Sequence, residues 1–157
     1  MHHCKMAYSE ERVIVNISSC EEIYEVLFAL APFLFNQEIT GAELKSLANK
    51  YAEKATCTVV LMQGTPVAFT AYYLNDRANR TAFLSMIVVK GGYQRAGFGS
   101  LLLEHVICSA LQSGMERLVL EVDINNNKAR NFYNAHGFVF LCNKKTNSVL
   151  LSLNLMQ

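Results

Sequence analysis

Two stretches concentrate the residues able to do chemistry. The first is Val88-Val89-Lys90-Gly91-Gly92-Tyr93-Gln94-Arg95-Ala96-Gly97-Phe98-Gly99, where a β-branched run empties through glycines into a segment of helical apolar spacing. Such a loop leads a strand into the start of a helix, where backbone N–H groups lack intrahelical acceptors and the helix dipole adds partial positive charge. The chemistry to expect is anion binding by main chain, with Gly97 and Gly99 allowing a phosphate to come close. On these residues alone, the reading that both glycines serve only a tight turn and close helix packing stays open. The second stretch runs from Leu120-Glu121-Val122-Asp123 through Asn126 and Tyr133 to Gly137-Phe138. It pairs a strand with an Asn-capped helix that carries a tyrosine and closes on a glycine.

Two nucleotide patterns compete for the first stretch. A P-loop needs Gly-Lys followed by Ser or Thr, but Gly99 is followed by Ser100 and Leu101, so the residues that would hold magnesium and the γ-phosphate are missing. A dinucleotide fold needs Gly-x-Gly-x-x-Gly, and Leu102 stands in the third glycine's place.

In this order and at this separation, the two stretches resemble the GNAT superfamily of acetyl-CoA-dependent N-acetyltransferases. The family's pyrophosphate loop, Gln/Arg-x-x-Gly-x-Gly/Ala, is matched by Gln94, Gly97 and Gly99, with Val89 and Tyr93 at its upstream apolar and aromatic places. Arg95 and Ala96 depart from the commoner Gly-Lys pair inside that loop. The later pattern, Asn-x-x-Ala-x-x-Phe/Leu-Tyr-x-x-x-Gly-Phe, is matched by Asn126, Ala129, Phe132, Tyr133, Gly137 and Phe138.

The resemblance implies an enzyme whose co-substrate is acetyl-CoA and which uses no metal. It implies that the main chain of Ile87, Val88 and Val89 bonds the pantetheine arm like an added strand. The pyrophosphate would sit on the N–H groups of Arg95, Ala96, Gly97, Phe98, Gly99 and Ser100, and Asn126 would bond the cofactor arm from its helix start. Tyr133 is the expected acid for the leaving thiolate, and the N–H of Val89 the expected oxyanion donor. Glu121, twelve residues before Tyr133, is the expected base, in a Leu-Glu-Val context that looks like the ribosomal-protein alanine acetyltransferase branch. Asp123, Asp76, Ser85, Tyr73 or a chain of waters stand in reserve for that role. His105 and His136 read as surface residues. The acceptor pocket implied by the resemblance draws on Phe33, Phe35, Asn36, Gln37, Glu38, Tyr72, Tyr73, Asn75 and Asp76. The acceptor suggested is an amino sugar or another small amine, with a protein N-terminus as the alternative. A non-catalytic acyl-CoA-binding module and a dinucleotide-dependent oxidoreductase remain as other classes.

The elements that must position these residues follow from periodicity. Residues 12 to 17 read as an opening strand, Ser18-x-x-Glu21 as a capping box starting a helix to about Phe35, and Thr40-Gly-Ala-Glu43 as a second box starting a helix to about Lys54. Strands over 56–62 and 67–74 flank a turn, and a third covers 81–89. A helix runs from Phe98 to Gly114, a strand over 117–122, a helix over 126–136, and strands over 138–141 and 149–155. The predicted order is βααβββαβαββ, an α/β single domain spanning 1–157 with a mixed, mostly antiparallel sheet. The resemblance adds that this sheet splays between its fourth and fifth strands.

Composition bounds the rest. At 157 residues with 52% hydrophobic and 17% charged, the chain suits one domain with one core and not a disordered chain. A formal charge of +1 is too small for a protein that binds nucleic acid through its phosphates. The longest apolar stretch, Val26 to Phe35, is interrupted by Pro32 and is about half of the ~20 residues a membrane span needs. The five cysteines are odd in number and widely spaced, and read as reduced, mostly buried thiols rather than a disulfide or zinc framework. His2 and His3 form an isolated pair, given no metal role. A soluble, cytoplasmic enzyme acting on a small-molecule amine is expected. A homodimer, common in the family, could be supported by the apolar last strand.

Overall fold

The computed structural model describes residues 11–34 and 38–156; Cys4 and the His2-His3 pair lie outside them. Strand β1 (Arg12–Ile17) leads to helix α1 (Cys20–Leu30), a 3₁₀ turn over Ala31–Phe33, and helix α2 (Gly41–Lys54). Strands β2 (Thr56–Met62), β3 (Thr65–Asp76) and β4 (Thr81–Val89) follow as a meander, then helix α3 (Phe98–Gln112), strand β5 (Arg117–Asp123), helix α4 (Asn127–Ala135), and the hairpin of β6 (Val139–Lys145) and β7 (Ser148–Asn154). The element order and α/β class are those expected.

Local chemistry sets the boundaries, with two corrections. The first cap is Ser19, one residue beyond the expected Ser18: its hydroxyl accepts the Glu22 N–H at 3.1 Å and donates to Glu22 Oε1 at 3.1 Å. Helix α1 ends at Leu30 instead of running to Phe35, because Pro32 has no N–H to offer the preceding turn. The box at Thr40 and Glu43 forms as read, with both reciprocal bonds made, at 2.8 and 3.1 Å.

The strands form one sheet in the order β1-β2-β3-β4-β5-β7-β6, antiparallel throughout except for β4 and β5. That parallel pair runs only from Thr81↔Arg117 to Leu84↔Leu120. Beyond it β4 continues with β3 and β5 with β7, so the sheet splits. The split begins at a bulge. Tyr72 pairs Leu84 and Ala71 pairs Met86, which leaves Ser85 as the extra residue. A bulge shifts every following side chain to the opposite face. Ala82 and Leu84 accordingly join the core under α3, whereas Val88, with Met86 beside it, belongs to the core under α1 and α2.

Leu103 and Val106 of α3 are fully buried against Leu118, Leu120 and Val122 of β5, each such side chain contributing roughly 1.5–3 kcal/mol. On the other face, Ile23, Leu27 and Leu30 of α1 and Tyr51 of α2 cover Phe69 and Ala71. Strand β7 is paired on both sides, so the last strand offers no edge to a partner. The edge is β6, exposed along its whole length, which extends to Lys145 instead of stopping at Leu141. The thiols are also less hidden than expected: Cys57 is buried and Cys20 half-buried, but Cys108 and Cys142 are exposed. Among the described residues no helix is long and apolar enough to cross a membrane, and no cluster of His, Cys, Asp or Glu could hold a metal.

Candidate active site

The loop after β4 turns back on itself before α3 begins. Lys90 N–H donates to Val67 O and Tyr93 N–H to Lys90 O, and Arg95 and Gly97 then adopt left-handed backbone, with φ of 64° and 87°. The first bond of the helix is Leu101 N–H to Gly97 O, and no side chain caps its start. As a result the N–H groups of Arg95, Ala96, Gly97, Phe98, Gly99 and Ser100 have no acceptor among the described residues. Alternating backbone handedness at a helix start converges such donors into an anion cradle.

The cradle is braced from both neighbours. Gln94 Nε2 donates to Val89 O at 3.1 Å, and Lys128 of α4 donates to Gln94 Oε1 at 3.0 Å. The Gln94 side chain therefore holds the loop onto β4 and α4. His136, expected on the surface, forms a second brace: Nδ1–H donates to Phe132 O at 2.8 Å, and Nε2 hydrogen-bonds the Ser100 hydroxyl at 3.0 Å.

Below the cradle lies the split in the sheet. Because Lys90 N–H bonds Val67 O, the two-residue alternation of an antiparallel ladder turns the main chain of Val88 toward Phe69 of β3 and that of Ile87 and Val89 toward the split. Past Leu84 no strand pairs with β4 on that side, so Ile87 and Val89 present unpaired main-chain groups there, apart from the Val89 carbonyl that Gln94 occupies.

Tyr133, on α4, packs on the same core layer as Leu84 and Ile87, edge-on to Phe132 and Phe138 with ring centres 5.2 and 5.4 Å away. Its hydroxyl makes no hydrogen bond among the described residues, and burial pushes its pKa up to about 12. Asn126 caps α4, its Oδ1 accepting the Ala129 N–H at 3.2 Å. Glu121 projects from β5 to the face opposite the buried Leu120 and Val122, where Oε1 accepts the Ser148 hydroxyl at 3.1 Å and Oε2 has no partner among the described residues.

Residues 20–138 match the model of the acetyltransferase (GNAT) family. The chain belongs to that family. Its fold is similar to that of the ribosomal-protein-S18-alanine N-acetyltransferase from Escherichia coli, at TM-score 0.76 and 20% identity over 94% of this chain and 96% of that one. It is also similar to Ard1 from Thermoplasma volcanium, at TM-score 0.73 and 22% identity over 93% and 99%. The PaiA N-acetyltransferase of Thermoplasma acidophilum, solved with coenzyme A, matches at TM-score 0.68 and 14% identity over 90% and 99%. At these identities the likeness to solved structures concerns the fold.

GNAT enzymes use acetyl-CoA, and the cradle fits a diphosphate: six N–H groups unpartnered among the described residues stand at a helix start. Beside Glu121 lies a cavity of about 450 Å³ on the α1/α2 face of the sheet. Tyr73, Asn75 and Asp76, three of the residues expected around an acceptor, line it together with Phe83, Glu121 and Lys144. Tyr72 does not line it. Strand alternation turns that ring into the α3 core, fully buried, with its hydroxyl donating to Ser109 Oγ at 3.0 Å.

Other expected residues are engaged elsewhere. Phe33 lies over Gly91, where an added Cβ would come within 2.9 Å of its ring. Phe35, Asn36 and Gln37 fall outside the described residues, and Glu38 is exposed. Asp76 accepts the Asn79 N–H and side-chain amide at 3.1–3.2 Å, and Asp123 the Asn125 N–H at 2.8 Å, so both serve turns. Ser85 is bonded to the Tyr51 hydroxyl at 2.8 Å. The Tyr73 hydroxyl is buried without a partner, and desolvation, then the nearby Cys57, raise its pKa. His105 has a buried, unpartnered Nε2, contrary to a plain surface reading.

Proposed function

We propose that this acetyltransferase moves an acetyl group from acetyl-CoA to a primary amine by direct attack within a ternary complex. The diphosphate binds the N–H groups from Arg95 to Ser100, the pantetheine arm adds along Ile87 and Val89, and the thioester reaches the split beside Tyr133. The observation that carries this reading is the coincidence of unpartnered N–H donors at the start of α3 with an unpartnered phenol on α4.

The amine nitrogen forms the new C–N bond and the thioester carbonyl becomes an oxyanion, held by the Val89 N–H, which faces the split. Collapse breaks the C–S bond. The phenol of Tyr133 donates to the sulfur as charge grows there, and burial keeps its proton in place across the working pH range. The proton lost by nitrogen goes to Glu121, directly or through water, whose Oε2 is open to the cavity.

Thiol release from acetyl-CoA with a panel of primary amines tests the reading, alongside thermal shifts with CoA. Transfer predicts both signals. Stabilisation by CoA without thiol release from any amine would make the chain a binding module and refute the enzymatic role.

A further inference from the structure

The acceptor cavity has a charge arrangement that narrows the acceptor class. Its floor is apolar, formed by Phe83, Val119 and Leu150, and two carboxylates and one ammonium stand around it: Asp76, Glu121 and Lys144. Asp76 is already satisfied by Asn79. Glu121 accepts only the neutral Ser148 hydroxyl, and Lys144 has no ion pair among the described residues. Glu121 and Lys144 thus share one cavity with N···O separations beyond 4.0 Å.

The topology holds them apart. Glu121 pairs with Leu150 on β7, and Lys144 lies on β6 one strand further out, the extra residue of the bulge between Asn143 and Lys145. Two interstrand steps put their backbones roughly 10 Å apart across the sheet. Both residues line the one cavity with their charged heads more than 4.0 Å apart, which leaves room for a short molecule between them. A carboxylate and an ammonium facing each other across an apolar floor complement an ammonium and a carboxylate a few bonds apart.

We infer that the acceptor is an amine that also carries a carboxylate, an amino-acid-like molecule whose nitrogen lies at Glu121 and whose carboxylate lies at Lys144. The inference rests on the acetyl-transfer reading above, and Lys144 is a specificity residue within it. Lys144 takes no part in the bonds made and broken, so it acts on acceptor binding.

The test compares four acceptors: an α-amino acid, its amide, the matched alkylamine, and a tripeptide whose carboxylate is remote. Wild-type protein is expected to acetylate the amino acid with the lowest KM. Lys144→Ala should raise that KM about tenfold, the effect of losing one partly exposed charge-assisted contact, and leave the amide and alkylamine unchanged. Lys144→Glu should favour the alkylamine. A second readout needs no turnover: in the presence of CoA, the amino acid should add thermal stability that Lys144→Ala abolishes. Preference for the amide, alkylamine or tripeptide, or an equal effect of Lys144→Ala on all four, overturns the inference while leaving acetyl transfer intact. Carboxylate-dependent stabilisation with no thiol release overturns the transfer reading and leaves the binding class standing.

Discussion

Replacing Tyr133 by Phe removes one oxygen atom, and the structure separates what that costs the fold from what it costs the reaction. The hydroxyl has no protein partner among the described residues, and the ring contacts with Phe132 and Phe138 survive the substitution. No buried donor or acceptor is orphaned, so the melting temperature should hold or rise slightly. For the reaction, burial lifts the phenol from 10.0 to about 12, which at about 1.36 kcal/mol per pH unit disfavours the phenolate by roughly 2.7 kcal/mol. The phenol is therefore a weaker acid than a thiol of ordinary pKa ~8.5, and in the proposed reaction it would act chiefly by a hydrogen bond that tightens as the sulfur gains charge. A hydrogen bond to a charged partner contributes roughly 1.5–3 kcal/mol, which corresponds to a loss in kcat of about 10- to 150-fold, with CoA affinity unchanged. The active form is the protonated phenol, and a raised pKa carries that form to higher pH. Any alkaline fall in wild-type rate below about pH 10 must come from another group. Thiol release measured from pH 6 to 10 on both proteins checks this. A loss of only a few-fold refutes the assignment, and an alkaline limb below about pH 10 that Tyr133→Phe abolishes contradicts the raised pKa.

Three further outcomes follow from the geometry. Gly97→Ala forces a side chain into left-handed backbone at the start of α3, a cost of about 1–2 kcal/mol, and should lower the melting temperature by ~2–8 °C and weaken CoA binding in calorimetry. Gly99→Ala sets a Cβ in ordinary contact, 3.4 Å from Phe132, and should leave the melting temperature unchanged, so equal shifts would contradict the cradle geometry. In urea unfolding, Ser85→Ala should cost about 1–3 kcal/mol because it leaves the Tyr51 hydroxyl buried and unpaired, whereas Tyr51→Phe returns an exposed Ser85 to water and should cost less in hydrogen bonding; the reverse order would contradict this pairing. Burial pushes the Cys57 thiol up to about 12, so at pH 8 a thiol reagent should label exposed Cys108 and Cys142 and reach Cys57 only on unfolding, as peptide mass mapping would show.

The parts of the site legible in the sequence are those that neighbouring residues build by themselves. The cradle needs glycine where φ is positive, at Gly97, and a helix start immediately after, and the helix of Tyr133 needs its cap at Asn126. Both are local, and both stand where the residue spacing puts them. The split is different. Thr81 to Val89 is apolar on both faces, so its pattern carries no sign of the slip at Ser85, although that slip decides that Leu84 faces α3 while Val88 faces α1 and α2. Tyr72 and Tyr73 are adjacent and chemically identical; only the parity of β3 sends the first into the core and the second to the cavity. Lys144 sits on a strand exposed on both sides, where no alternation marks the element at all, and it shares a cavity with Glu121 only through the strand order β5-β7-β6. The proposed cofactor side is thus written in consecutive residues, and the proposed acceptor side in strand register. Under the proposed function, a relative sharing every motif of the first would still take a different amine if a single bulge on β4 or β6 changed which side chains face the cavity.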